Sequence, residues 1–278
     1  MTKRLIDREA LKAVINASHS FSGVSKVAVP IITMFNDPRT NFSDLSRVIE
    51  SDPDLSARVL KIANSGYYGL RQKIESVSRA VIMLGWNAIK MIALGSTILS
   101  KMNEVNKQLY EHSLQTAMIA RFLATEADFY KIEEISTVGL LHDVGKTILQ
   151  VYFPENYYRT IQYVKDKGVP YHIAEREILG IDHAEIGGWT LEDWNLPKNI
   201  SSSVMWHHDF KPNTYHARKT AVVHIADVLS TAVNFVGPSW EKVPEMNPAA
   251  VETLGFSVSD FKDIVIAMSK MKVDPFII

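Results

Sequence analysis

The sequence predicts an all-α protein. Nearly every segment repeats its apolar residues with the 3.6-residue period of an amphipathic helix, and no convincing run alternates with period two. Residues that start helices, such as the Asp52-Pro53 pair, fall at the beginnings of these periodic segments. With 278 residues, the chain is long enough for one large domain or two modest ones that bury a sizeable core.

Three helices are expected in the N-terminal half. Ser43 is the predicted N-cap of the first, because a short polar side chain there precedes an apolar helical stripe. Asp52 and Pro53 are the predicted N-cap and first residue of the second, since proline lacks the N–H that a first turn leaves unpaired anyway. The third is expected to begin at Ser76 and to stop at Gly85.

Five more helices are expected in the C-terminal half. Their positions are indicated by an apolar stripe from Leu114 to Phe122, the sequence Leu-Leu-His-Asp-Val-Gly-Lys at 140–146, an acidic N-cap at Asp182 with Glu185 three residues later, a proline at Pro197 and an apolar run over 219–235.

The charged, weakly apolar stretch 101–108 is the best position for a boundary. It predicts an N-terminal helical subdomain over residues 1–104 and a second helical subdomain over residues 105–278. Because neither half has a flexible tether, we expect the two to pack as one body.

The composition excludes several classes of protein. The net charge of −1, with no basic stripe interleaved with aromatic residues, argues against nucleic acid as a partner. The most membrane-like stretch, residues 80–99, is interrupted by Asn87 and Lys90 and is better explained as buried helix. The chain has no cysteine, which excludes thiolate zinc sites and disulfides. The N-terminus lacks the apolar segment of a signal peptide, so a cytoplasmic protein is expected.

A spaced series of histidines and aspartates is the main chemical signal. Imidazole and carboxylate groups together suit one or two transition-metal ions. Three other histidines, His19, His172 and His216, lack such a context and are interpreted as surface or packing residues. The series consists of His112, His142, Asp143, His183, His207, His208 and Asp227.

The segment around His142 and Asp143, read as one continuous helix, has two different faces. At 100° per residue, the apolar residues of 140–148 share one arc. Gly139, His142, Asp143 and Lys146 share the opposite arc. That arc is either a solvated face or a ligand-binding one, and we favour the second because solvated faces are rarely built from these residues. On this interpretation, the missing side chain of Gly139 leaves room for an ion or ligand.

The helix that carries Asp227 shows a similar division. His224 lies one turn before Asp227 and on the same polar arc. It is either a partner that orients the carboxylate or a residue that only caps or packs, and we favour the second interpretation.

The complete series resembles the HD superfamily of metal-dependent phosphohydrolases. The segments 49–65, 74–85, 182–187 and 194–197 are similar to signatures of the HDOD domain family within it. The resemblance covers about residues 20–230, and the tail from about 237 lies outside it. It implies an HD-superfamily helical bundle with the N-terminal helical subdomain packed on it.

The resemblance also implies a ligand assignment for two divalent ions. Asp143 would bridge them, and Lys146 would bind a phosphate oxygen, which makes these two the expected catalytic residues. His112, His142 and Asp227 would hold one ion, and His183, His207 and His208 the other. Iron or manganese suits this mixed ligand set at least as well as zinc.

Two departures from related enzymes narrow the expectation. The Gly-Tyr-Pro signature of the cyclic-di-GMP-cleaving branch is missing after His207-His208, which makes that substrate doubtful. Trinuclear members carry a carboxylate one turn before the first histidine, where this chain has Gln108, which argues against a third metal.

Two functions remain open at this point. One is a metal-dependent phosphohydrolase that acts on a nucleotide or another phosphoester. The other is a bacterial signalling module without catalysis, in which metal or ligand binding sets the conformation shown to a signalling protein. HDOD domains are known mainly as regulatory modules, whereas the complete ligand set favours an enzyme.

Overall fold

A computed structural model gives the fold of the protein. It describes residues 8–17, 30–31, 33–34, 37, 39–64, 72–86, 88–89, 91–93, 95, 106–233 and 242–270. These residues form α-helices joined by turns and loops, with no β-strand among them. The all-α prediction is confirmed.

The N-terminal half contributes helices α1 (Arg8–Ala17), α2 (Phe42–Glu50), α3 (Pro53–Ala63) and α4 (Val77–Leu84). The predicted cap of α2 is wrong by two residues. Asn41, not Ser43, is the N-cap, and its side chain accepts from the backbone N–H of Ser43 and Asp44. The Asp44 side chain bonds back to the Asn41 N–H, so a capping box decides where α2 begins.

The caps of α3 and α4 agree with the sequence. Asp52 accepts from the Leu55 N–H, and Pro53 is the first residue of α3. The Ser76 side chain accepts from the Arg79 N–H. Gly85 ends α4 with φ of +85°, a backbone conformation that residues with a Cβ rarely adopt.

The C-terminal half contains a larger set of helices. The long helices α5 and α12 pack against each other and against α6, and α10 packs between α7 and α11. The tail, for which the sequence made no structural prediction, supplies α13 and α14, of which α13 packs on α12. The helices are α5 (Lys107–Glu126), α6 (Ile132–Leu141), α7 (Val144–Tyr152), α8 (Pro154–Lys167), α9 (Tyr171–Leu179), α10 (His183–Asp193), α11 (Lys198–Met205), α12 (Ala217–Val233), α13 (Pro248–Leu254) and α14 (Val258–Lys270).

One hydrophobic cluster joins the two halves of the chain. It contains Leu45 and Leu55 from the N-terminal helices together with Leu141, Val144 and Val223 from the C-terminal ones. Residues 101–105 of the predicted boundary lie outside the described residues, so the division at 104 stays a prediction. Asn87 and Lys90, which interrupt the apolar stretch 80–99, also lie outside them. Among the described helices, none is both long and apolar enough to cross a membrane.

Candidate metal centre

The His142-Asp143 pair lies in a break between two helices. His142 is the C-cap that follows α6, and Asp143, with φ of −97° and ψ of 10°, precedes α7. The prediction of one continuous helix through 140–146 is therefore wrong at these two residues. Both side chains are fully buried, which also excludes the solvated-face alternative. The break directs two sequence neighbours into the protein interior together.

Gly139 serves helix packing, and its interpretation as a gap for a ligand is wrong. A Cβ at this position would lie 3.0 Å from the Cβ of Ala120 and 3.1 Å from the Cα of Ala117, both on α5. The glycine therefore lets α6 approach the α5 backbone closely. Its carbonyl oxygen accepts a hydrogen bond of 2.7 Å from Nδ1 of His142.

Three of the predicted ligands meet where α5, α6 and α12 pack together. Nε2 of His112 lies 3.2 Å from Nε2 of His142 and 3.1 Å from Oδ1 of Asp227. Nε2 of His142 lies 3.5 Å from the same carboxylate oxygen. Their ligand atoms all lie within 4.8 Å of one another, so we name these three residues group A.

The other three histidines meet beside the first turn of α10. Nε2 of His208 lies 3.0 Å from Nε2 of His183. Nε2 of His207 is buried without a hydrogen-bond partner. The ligand atoms of His183, His207 and His208 also lie within 4.8 Å of one another, and we name them group B.

Asp143 lies between the two groups. Its Oδ1 is 3.0 Å from Nε2 of His183 in group B but makes no hydrogen bond. Its Oδ2 is 3.4 Å from Nε2 of His142 and 3.6 Å from Nε2 of His112, both in group A. The ammonium of Lys146 lies 2.9 Å from the same Oδ2. Oδ1 thus faces His183 of group B and Oδ2 faces group A, and the ligand atoms of His142, Asp143 and His207 also lie within 4.8 Å of one another.

Hydrogen bonds fix the rings so that Nε2 points inward. Nδ1 of His142 lies 2.7 Å from the Gly139 carbonyl oxygen, and Nδ1 of His207 lies 2.6 Å from that of Val204. A carbonyl oxygen only accepts, so in both rings Nδ1 carries the proton, and in the neutral ring Nε2 keeps its lone pair. Such a bond to the far nitrogen is the usual arrangement of a metal-binding histidine.

Glu175 is a member of the site that the sequence reasoning missed. It is fully buried on α9, and its Oε2 accepts from Nδ1 of His183 at 2.5 Å and from the His183 backbone N–H at 2.9 Å. A signal was present, because Tyr171, Glu175 and Leu179 recur at four-residue spacing and place a glutamate on the core side of a helix.

His172 is buried, and its packing partner is a predicted ligand. Its ring stacks on that of His208 with a centroid separation of 4.0 Å and an interplanar angle of 13°. The interpretation as a surface or packing residue missed this proximity. His216 contacts the ring of Tyr215 and takes no part in either group. His19 lies outside the described residues.

His224 holds two backbone segments. Its Nδ1 donates to the carbonyl oxygen of His207 at 2.8 Å, and its Nε2 accepts from the backbone N–H of Asn247 at 2.9 Å. Both ring nitrogens are thus used by the backbone, which agrees with the packing interpretation and leaves none to orient Asp227. His112 receives the comparable support from Ser230, whose Oγ lies 3.2 Å from Nδ1.

The charges of the centre are strongly coupled. Burial alone raises the pKa of Asp143, but His142, Lys146 and His183 outweigh it and hold that pKa well below its usual value. Burial lowers the pKa of His183, but the Glu175 and Asp143 carboxylates overcome this and raise it to about 10. Burial lowers the pKa of His207 to about 3. The centre therefore keeps the Asp143 carboxylate anionic beside two imidazoles of opposite basicity, those of His183 and His207.

The profile of the HDOD domain matches residues 22–210, more than half of the chain. The chain belongs to the HDOD family. A protein of Treponema pallidum (strain Nichols) is 26% identical to this HDOD protein over 177 residues, which are 62% of this chain and 34% of the relative. The protein YuxH of Bacillus subtilis (strain 168) is 32% identical over 97 residues, 34% of this chain and 24% of YuxH. The chain thus matches about a third or less of the length of these two relatives.

Solved structures share the fold of this HDOD protein. An HDOD domain protein of Geobacter sulfurreducens has a TM-score of 0.72 at 23% identity, with 97% of each chain covered. A candidate phosphohydrolase of Shewanella amazonensis SB2B has a TM-score of 0.74 at 20% identity, covering 95% of this chain and 96% of that one. A candidate signal transduction protein of Marinobacter aquaeolei VT8 has a TM-score of 0.73 at 18% identity, covering 99% and 66%. At these identities the likeness establishes the helical fold and no more.

Proposed function

We propose that this HDOD protein binds two divalent metal ions, one in group A and one in group B, and hydrolyses a phosphoester. The substrate would be a nucleotide or another phosphorylated small molecule. The proposal is supported by the groups of imidazole and carboxylate ligands and by neighbouring folds that are described as candidate phosphohydrolases.

Buried ligand atoms that lack a hydrogen-bond partner carry the proposal. Nδ1 of His183 is used by Glu175, which leaves its Nε2 facing Nε2 of His208 at 3.0 Å. Because the pKa of His183 is raised to about 10, a proton lies between these two nitrogens in the metal-free protein, and a divalent cation would take its place. Oδ1 of Asp143 and Nε2 of His207 are also buried without hydrogen bonds, an arrangement that costs free energy in an apolar interior. A divalent cation supplies all of these atoms with a partner.

The donor set fits iron, manganese or zinc. It offers imidazole nitrogen and carboxylate oxygen, and the chain has no cysteine to supply thiolate. Bound divalent ions supply Lewis-acid stabilisation of phosphate oxygens and a lowered pKa of water. Asp143 would be shared by the two ions, because its two oxygens face different groups.

Lys146 is the residue best placed to contact a phosphate. Its ammonium pairs with Oδ2 of Asp143 and lies 5.1 Å from the centre of the Tyr171 ring. Its side chain is 11% exposed, so it lies at the edge of the buried centre. An ammonium there neutralises one non-bridging oxygen of a bound phosphoester and assists its orientation.

A signalling module without catalysis is the second candidate, and the burial of the centre favours it. The side chains of Asp143, His142 and His183 are at most 1% exposed, and that of His112 is 12% exposed. A metal ion is small enough for such a centre, whereas a nucleotide requires a wider opening. In this case ion loading would set the conformation that a signalling protein recognises.

Metal analysis tests the shared part of both candidates. Protein purified without chelator and supplemented with iron, manganese or zinc is expected to hold close to two equivalents. A protein that takes up none of these metals would refute the dinuclear proposal.

A phosphoesterase panel then separates the enzyme from the module. Wild-type protein is compared with Asp143→Ala, and Asp166→Ala on the exposed face of α8 is the matched control. An enzyme loses its turnover in Asp143→Ala alone. Loaded wild-type protein that turns over no substrate favours the module, and turnover that survives Asp143→Ala contradicts the assigned site.

A further inference from the structure

We propose that His172 and Arg176, both on α9, are positioning residues that fix the geometry of group B and thereby control the binding of one of the two ions. The inference rests on the proposed function, since it concerns a metal ion in group B. It adds two residues to the centre that belong neither to the ligand set nor to the predicted partners.

The ring of His208 lacks the tether that the other ligand histidines have. Nδ1 of His142, His183 and His207 is held by a carbonyl or carboxylate oxygen, whereas Nδ1 of His208 is buried without a hydrogen bond. His208 also lies beyond the end of α11, in a segment without regular helix. Neither a hydrogen bond at Nδ1 nor a helical backbone therefore sets the plane of this imidazole.

The flat face of His172 sets that plane instead. Its ring lies nearly parallel to that of His208, at 13° and with 4.0 Å between centroids, and it is buried on a regular helix. Close packing on one face restricts rotation of the His208 ring about its Cβ–Cγ bond. The orientation so fixed is the one in which Nε2 faces Nε2 of His183.

Arg176 fixes the backbone next to two members of group B. Its guanidinium bonds Oδ2 of Asp182, the residue before His183, with Nε at 2.7 Å. It also bonds both carboxylate oxygens of Asp209, the residue after His208, at 3.4 and 3.0 Å. Two-pronged pairing of arginine with a carboxylate is geometrically restrictive. One arginine thus holds the start of α10 at a set distance from the His208 segment.

Group A is held by different elements. Gly139 on α6 and Ser230 on α12 support His142 and His112, and neither of these rings hydrogen-bonds a residue of α9. Changes on α9 are therefore expected to affect the two ions unequally, which a general loss of stability would not do.

The test is a calorimetric titration of metal-free protein with Mn²⁺. His172→Leu keeps apolar volume but loses the flat ring, His172→Phe keeps the flat ring but loses the nitrogens, and Arg176→Gln removes the charged clamp. His216→Leu is the matched control, a histidine outside both groups. We expect two equivalents for wild type, and about a tenfold or greater loss of affinity for one equivalent alone in His172→Leu and Arg176→Gln. His172→Phe and His216→Leu are expected to bind both ions as wild type does.

Several outcomes of this titration would overturn the positioning role of His172 and Arg176. Wild-type affinity for both ions in His172→Leu and Arg176→Gln overturns the positioning role, and so does equal weakening of both ions. A His172→Phe variant as weak as His172→Leu also overturns it, because His172 would then act through its nitrogens. Should His172→Leu fail to fold, as judged by circular dichroism, Arg176→Gln and His172→Phe still decide. A wild-type protein that binds no ion overturns the proposed function and this inference with it.

Discussion

Replacement of Gly145 by alanine is expected to separate α7 from α10. A Cβ on residue 145 would fall almost on the carbonyl oxygen of His183, with the His183 carbonyl carbon at 2.8 Å and the Gly187 nitrogen at 2.9 Å. Real Cβ atoms essentially never approach closer than 3.0 Å. All three obstructing atoms are backbone, so no side chain can rotate away. The two helices must move apart.

The size of the effect follows from this geometry. Added methyl groups in a packed interior usually cost about 1–3 kcal/mol, and a backbone collision lies at the upper end, so we expect a loss of about 3 kcal/mol or more. Alanine returns roughly 1 kcal/mol of helix propensity, which reduces the loss only in part. A loss of about 3 kcal/mol corresponds to a lowering of Tm by about 6–12 °C. The same movement would also separate Oδ1 of Asp143 from Nε2 of His183, now 3.0 Å apart.

Urea unfolding of metal-free protein measures this loss without a contribution from bound ions. Gly187→Ala on the facing helix is the control, because its Cβ would meet methyl groups of Val204 and Val144 at 3.1 and 3.3 Å. These side chains need to shift by only a few tenths of an ångström, so the control is expected within about 1 kcal/mol of wild type. A Gly145→Ala protein as stable as wild type, or a Gly187→Ala protein as unstable as Gly145→Ala, would refute the reasoning.

Three further predictions concern charge and metal. Glu175→Gln keeps the shape of the side chain but removes the charge beside His183, so the affinity for one ion should fall about 10–100-fold in a chelator competition. Unchanged affinity would contradict this role of Glu175. Glu177→Gln, on the exposed face of α9, is the control. Chelation should lower Tm, because an ion present at about 1,000 times its Kd adds about 4 kcal/mol to the free energy of unfolding. A Tm that chelator leaves unchanged would contradict tight binding of the ions. Metal-free protein should lose stability from pH 6.5 downward, because burial lowers the pKa of His172 to about 4 and that of His207 to about 3. These two histidines take up protons in the unfolded chain before they do so in the folded protein, so each lowers the free energy of unfolding by about 1.4 kcal/mol per pH unit. His183, with its raised pKa, is already charged in both states below pH 6.5 and does not oppose the trend. Equal urea midpoints at pH 7 and pH 4.5 would contradict this assignment of charges.

The fold was largely predictable because helix signals are local. Asp52, Pro53, Ser76 and Asp182 start helices by hydrogen bonds or dihedral angles within four residues, and the sequence contains all of that information. The α2 cap was misplaced because Asn41 and Ser43 are both good caps, and Asp44 at the third helical position decided between them.

The site was predictable in its members more than in its geometry. The five histidines and two aspartates of the series come together, and the ligand atoms of His142, Asp143 and His207 form a third group that overlaps groups A and B. The break between α6 and α7 was missed, because 139–148 keeps a helical apolar period across it. Glu175 and His172 were missed because their meaning depends on how α9 packs on α10 and the His208 segment, which is a tertiary property.

The shared hydrophobic cluster gives the turn at His142 and Asp143 a mechanical connection to the N-terminal helices. Leu141 and Val144, which flank this turn, pack in the same cluster as Leu45 and Leu55. Close-packed interiors transmit displacement because they contain little empty volume to absorb it. Linkage then imposes symmetry: a molecule that shifts the N-terminal helices and changes ion affinity must have its own affinity changed by the ion to the same degree. A metal ion bound at this turn would then change the affinity of the N-terminal helices for such a molecule, and the molecule would change the affinity of the turn for the ion.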